Sequence, residues 1–145
     1  MIRTLALVAM MWLPTSALAG FTASVDLGQT VDSHYEQDLG LRAGYTISLV
    51  NLHITPEVSQ RLLLVDSDTA MGTFIGGRAT LGFLIAPGIY ANTGVWTNDQ
   101  TTSSTGGMTL DFRGVPMSIF GLHAGYTLHS KGNFLSYGLH GGLEF

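Results

Sequence analysis

The chain has 145 residues, 46% of them hydrophobic, with six basic residues against ten acidic ones and no cysteine. It therefore holds together without disulfides, and a net charge of −4 with no basic patch or aromatic-basic interleaving argues against nucleic acid as a partner. Beyond the N-terminal segment no apolar run reaches the roughly 18 residues that a membrane-spanning helix needs.

Residues 1–19 read as a secretory signal peptide. Met1-Ile-Arg3 is a short basic start, residues 5–13 are an apolar core, Pro14 ends the run, and Ala17-Leu-Ala19 is an A-x-A cleavage site. The apolar stretch is too short to cross a bilayer as a helix, and a retained anchor is the alternative. No Cys follows the small residues, which excludes a bacterial lipoprotein. Residues 20–145 then form one domain, with a net charge near −5 once Arg3 is lost.

From there the hydrophobic period is two, not 3.6. Eight extended segments follow, at 20–29, 37–48, 51–64, 71–85, 88–98, 107–115, 117–129 and 133–145. Membrane strands need about 9–11 residues each, so eight fit and ten would leave almost nothing for connections. Polar stretches at 30–36, 66–69, 99–106 and 130–132 alternate with tight turns at Leu49-Val50, Ala86-Pro87 and Val115-Pro116. Long loops at one end and short turns at the other predict an up-and-down barrel. Pro56 falls inside the third segment, which predicts a bulge there or a later strand start. The recurring GLRAGYT (40–46), GLHAGYT (121–127) and GLHGGLE (138–144) reflect shared strand chemistry rather than a true repeat.

Sorting side chains by face separates the charges. One face carries Phe21, Val25 and Leu27, then Leu39, Leu41, Tyr45 and Ile47, then Ile75, Leu81 and Phe83, then Phe120, Leu122, Tyr126 and Leu128. An Arg or Lys facing lipid at mid-bilayer costs about 2–4 kcal/mol, so a charge-free band suits a membrane barrel, with Tyr45, Tyr126 and Tyr137 at girdle positions. The other face collects Asp26, Arg42, Glu57, Arg61, Arg78, Asp111, Arg113 and Glu144, with His53, His123 and His140. The interior of an eight-stranded barrel is just filled by side chains, so these charges are expected to pair as a plug; a gated pore or proton path is the alternative. In the fifth segment Tyr90 and Trp96 share a face with Asn92, which leaves its facing open. The remaining acids, Asp32, Glu36, Asp38, Asp66, Asp68 and Asp99, are assigned to solvated loops opposed by Lys131 alone. Asp66-Ser-Asp68 offers hard oxygens but lacks an EF-hand pattern, and no metal or other cofactor is expected.

Strand count, loop asymmetry and the closing stretch 136–145 resemble the small bacterial outer-membrane β-barrels, the group with OmpX-like, OmpA-transmembrane-like and opacity-type members. The resemblance covers residues 20–145. It implies an all-β, eight-stranded antiparallel transmembrane barrel in the bacterial outer membrane, monomeric and with periplasmic termini. Its partners would be outer-membrane lipid, lipopolysaccharide and the barrel assembly machinery. It also implies that Tyr137, Leu139, Leu143 and Phe145 form the C-terminal signal read by that machinery, with Gly141 departing from the apolar alternation. A lipase-type site would need a Ser beside a His oriented by an acid. His129-Ser130 are adjacent on a strand end and point apart, His34 and Asp32 lie in the first loop, and no G-x-S-x-G occurs. The expectation is a non-enzymatic barrel with an ion-paired interior, serving envelope structure or surface interaction through acidic loops. A lipid A-modifying enzyme or a small gated pore is the alternative, and a soluble lipocalin-like barrel would turn its apolar residues inward.

Overall fold

The computed structural model describes residues 19–31, 35–65, 68–115 and 117–145. The signal segment up to residue 18, Asp32, His34, Asp66 and Pro116 lie outside the described residues. Eight strands succeed one another: β1 (Ala19–Val31), β2 (Gln37–Leu49), β3 (Leu52–Val65), β4 (Asp68–Leu81), β5 (Ile85–Trp96), β6 (Thr102–Phe112), β7 (Ser118–Leu128) and β8 (Phe134–Glu144). Each is antiparallel to its neighbours in sequence, and β8 pairs with β1 to close the barrel.

Closure fixes what alternation means. Successive Cβ atoms point to opposite faces, so one residue set of each strand must line the lumen and the other the outer wall. Phe21, Leu41, Ile75, Ile89 and Met108 stand on the outer wall, each more than 60% exposed. Asp26, Asp38, Arg42, Glu57, Arg61, Arg78, Asp111 and Glu144 turn inward, as do Thr46, Ser59, Thr80, Ser103, Thr105, Thr127 and Ser136. The polarity of a soluble barrel is thus inverted. In β5 the facing is settled as well: Ala86, Tyr90, Asn92 and Trp96 point inward, and Ile85, Ile89 and Val95 outward.

Several sequence expectations change. β3 carries Pro56 with no bulge and no late start: its register to β4 is unbroken from Leu52↔Leu81 to Val65↔Asp68. Toward β2 the pairing skips from Gly44↔Glu57 to Ile47↔Ile54 without slipping, which is how a residue lacking N–H is tolerated in a ladder. The second tight turn lies at 82–84, not at Ala86-Pro87. Pro87 belongs to β5, just beyond the point where pairing with β4 ends at Thr80↔Gly88. The Thr/Ser/Gly stretch assigned to a loop is largely β6, with Ser103 and Thr105 buried in the lumen. The loop asymmetry also shrinks, since strands are joined by two to five residues at both ends of the barrel.

The β2–β3 connection is the two-residue turn Val50-Asn51, flanked by the pair Leu49↔Leu52. Val50 has φ 58°, a left-handed conformation that costs an L-residue about 1–2 kcal/mol and suits a β-branched side chain least. Positive φ at the first turn position is the II′ pattern, which glycine normally supplies. Val50→Gly is therefore expected to raise stability by about 1 kcal/mol, net of glycine's greater freedom in the unfolded chain. Urea titration of the refolded barrel checks this; an unchanged or lower midpoint counts against strain at Val50.

Candidate functional site

The lumen is crossed by one alternating chain of acids and guanidiniums. Arg42 Nη2 reaches Asp26 Oδ1 at 2.5 Å, and its Nη1 lies 3.6 Å from Glu57 Oε1. Arg78 bridges Glu57 Oε2 at 3.1 Å and Asp111 Oδ2 at 3.5 Å. Arg113 joins Asp111 Oδ2 at 3.8 Å to Glu144 Oε2 at 3.1 Å. Thr109 donates its hydroxyl to Asp111 Oδ1 at 2.6 Å, and His140 Nε2 meets the same oxygen at 3.1 Å. The seven charges come from β1, β2, β3, β4, β6, the turn after β6, and β8.

Strand register explains how such long side chains fit. Arg42 is directly opposite Ser24 and Ser59, so it meets Asp26 and Glu57 on the diagonals, about 7–8 Å away and within reach of a long side chain. Directly opposite the acids stand glycines: Gly40 faces Asp26, Gly44 and Gly76 flank Glu57, and Gly121 faces both Asp111 and His140. A Cβ at Gly40 would stand 2.9 Å from Asp26 Oδ2, and one at Gly121 would stand 2.5 Å from His140 Cε1. The glycines thus open the lumen where the charged groups must lie across it.

Nearer the loop end, Arg61 makes a two-pronged contact with Asp38, and its Nη1 donates to Thr105 Oγ1 at 2.8 Å. Asp38 is buried, so its assignment to a solvated loop is corrected: it is a lumen residue and the partner of Arg61. Above this pair the interior turns apolar. Leu63, Ala70, Phe74, Trp96 and Phe134 form a buried cluster with Tyr35 packed against it. The Arg61 guanidinium lies 5.5 Å from the Phe74 ring centroid and 6.0 Å from that of Trp96, and Trp96 Nε1 donates to Ser103 Oγ at 2.7 Å. Interior cavities of about 30 Å³, beside Asp26, Arg61 and His123, and about 20 Å³, beside Arg78, Arg113 and His140, have room for only a water or two.

The loop residues do other work. Asp99 binds Lys131 at 2.9 Å and accepts hydrogen bonds from Thr101, tying the β5–β6 connection to the β7–β8 connection. Those Thr101 hydrogen bonds, with the Lys131 ammonium, hold the Asp99 carboxyl below the usual carboxylate range. His129 packs edge-on to Trp96, and its Nδ1 accepts the Lys131 backbone N–H at 3.0 Å. Burial lowers its pKa. The described hydrogen bonds thus join His129 to Lys131 and Asn133 rather than to Ser130.

On the outer wall of β8, Tyr137, Leu139 and Leu143 are exposed, as is Phe145 just beyond it, and the Phe145 N–H donates to the Phe21 carbonyl at 2.8 Å. Gly141 interrupts their row, and Phe120 of β7 stands directly opposite it. A Cβ at Gly141 would lie 3.5 Å from the Phe120 ring, so the aromatic covers the bare backbone. At the tight-turn end Phe21 and Tyr45 pack edge to face at 5.2 Å.

No family model matches the chain, and no curated protein matches it in sequence. Among solved structures it is similar to the crystal structure of Ail, the attachment invasion locus protein of Yersinia pestis. The identity is 11% over 88% of this chain and 97% of that one, with a TM-score of 0.60. Ail in a phospholipid bilayer nanodisc gives 13% identity, a TM-score of 0.59, and coverage of 88% and 99%. A de novo designed transmembrane β-barrel gives 15% identity, a TM-score of 0.57, and coverage of 87% and 95%. The likeness is one of fold. At such identities it is backbone geometry, not shared side chains, that aligns these barrels, so the lumen has to be read from this chain's own residues.

Of the eight charges singled out in the sequence, seven belong to the alternating chain, while Arg61 stands apart with Asp38. The aromatic cluster gave no signal, because apolar residues on a polar face look like errors of facing. Removing one partner of a buried ion pair leaves an uncompensated charge and costs about 3–5 kcal/mol. Arg78→Met, which strips a guanidinium from both Glu57 and Asp111, is expected to destabilise the barrel by that amount. Denaturant unfolding in lipid vesicles measures it; a loss below about 1 kcal/mol would mean the chain is not held together through Arg78.

Proposed function

We propose that residues 20–145 are an integral barrel of the bacterial outer membrane, exported by a cleaved signal at 1–19, with periplasmic termini. The observation that carries this reading is the inverted polarity of a closed barrel: a predominantly apolar outer wall around a charged lumen. Water would penalise that wall, whereas lipid hydrocarbon solvates it and leaves no strand edge unpaired. Its surroundings are outer-membrane lipid and lipopolysaccharide, its delivery is by the barrel assembly machinery acting on Tyr137, Leu139, Leu143 and Phe145, and it works as a monomer.

The interior is closed to bulk solutes by the ion-paired chain below and the aromatic cluster above, so the barrel is a non-enzymatic element of envelope structure. Any surface interaction runs through its loops, where Glu36 and Asp99 are the acids among the described residues. A lipid A-modifying enzyme and a small gated pore remain as readings that the same preparations separate.

Fractionation with heat-modifiable gel migration tests the placement. The expected result is a protein in the outer-membrane fraction whose mobility shifts on boiling; a soluble periplasmic protein contradicts the reading. In the same assay Phe145→Ser is expected to lower the heat-modifiable fraction more than Asp99→Asn does. Purified barrel is expected to add no stepwise conductance to a planar bilayer, and its deletion to leave lipid A mass unchanged.

A further inference from the structure

Five inward carboxylates, Asp26, Asp38, Glu57, Asp111 and Glu144, face four guanidiniums. Among the described side chains one negative charge is left over unless a cation or a proton joins them. Beside the chain lie two imidazoles on adjacent strands, His123 on β7 and His140 on β8, with ring centroids 6.0 Å apart. Asp26 on β1 is paired across the barrel seam with His140. Asp26, His123 and His140 each place one potential ligand atom within 4.8 Å of the other two.

The wiring of these histidines differs from that of His53. Both nitrogens of His53 are engaged, by Ser48 Oγ at 2.7 Å and the Gly82 carbonyl at 3.0 Å. The Nδ1 atoms of His123 and His140 are buried with no hydrogen-bond partner among the described residues. The His140 side chain is 1% exposed, and its other nitrogen is held by Asp111. A carboxylate on the far nitrogen of an imidazole is the usual outer support of a metal-ligating histidine, fixing the ring and raising its basicity.

We propose that Asp26, His123 and His140 form a binding site for one divalent transition-metal cation, with Zn²⁺ the best match. Two imidazoles and a carboxylate are a zinc-type donor set, leaving a fourth position for water. Tetrahedral ligands at about 2.0–2.1 Å from zinc stand roughly 3.3 Å apart, so the three side chains close by on the order of 1 Å when the ion binds. The Arg42 guanidinium occupies Asp26 Oδ1, leaving Oδ2 for the metal, and its charge is the main opposing influence. Asp26 and His123 also border the 30 Å³ cavity, which gives the bound water a place. The site rests on the barrel's register and not on where the barrel resides.

The test uses the tag-free chain refolded in detergent and titrated with Co²⁺, then Zn²⁺, each added both before and after folding. The expected result is one equivalent of cobalt with the visible d–d absorption of a tetrahedral site, displaced by zinc. His123→Ala and Asp26→Asn are expected to weaken binding at least about tenfold while heat-modifiable migration confirms that they fold; His53→Ala is expected to bind normally. The proposal is overturned if less than a fifth of an equivalent binds under either order of addition. Retention of the cobalt spectrum by both His123→Ala and Asp26→Asn would overturn it as well.

Discussion

The alternating chain from Asp26 through Arg42, Glu57, Arg78, Asp111 and Arg113 to Glu144 exists only if all eight strands keep register and the seam between β1 and β8 is closed. A slip of one residue in β1, β2, β3, β4, β6 or β8 would turn its charge out and its apolar set in. Inside, each charge would otherwise cost several kcal/mol in lost hydration, so the ion pairs and the register enforce each other. Outside, the same slip would place a carboxylate or guanidinium on the apolar wall. Few single-strand errors can therefore be tolerated, and the barrel is specified more by its polar lumen than by its apolar wall, which any alternating sequence could supply.

The lumen is graded along its length. The network of acids and arginines occupies the middle and the tight-turn end, Arg61 with Asp38 forms a separate bidentate pair above it, and Phe74, Trp96 and Phe134 fill the loop end. Arg61 joins the two regimes, with its charge on Asp38 and its flat face on the aromatic rings. Glycines opposite the acids and bulky rings above them are two answers to one packing problem, since an eight-stranded lumen has little volume to spare.

The face sorting of charges was legible because a period of two is unambiguous wherever the outer residues are apolar, as in β1, β2 and β7. It fails where both faces are polar. In β6, Thr102 and Ser104 face outward while Ser103 and Thr105 face inward, so the contrast that marks a strand vanishes and the stretch reads as a loop. Asp38 was misplaced for a related reason: it sits one residue inside β2, and nothing local distinguishes a strand-end acid in the lumen from one in solvent. The pairings themselves join residues up to 33 apart, Arg78 with Asp111, and follow from register rather than from any motif. The triad of Asp26, His123 and His140 is invisible in the sequence, because it forms only at the seam where the last strand meets the first.

The central claim, a lipid-facing wall around a lumen sealed from lipid, is tested most directly by Trp96, the one tryptophan of residues 20–145. Residues 20–145 are refolded into vesicles of brominated phospholipid and the tryptophan fluorescence is read. Trp96, buried between Phe74 and Ser103, is predicted to lose little intensity, while a tryptophan at the outer-wall position Leu122→Trp, in a Trp96→Phe background, loses most of its own. Strong quenching of Trp96, or no quenching at position 122, would contradict the account.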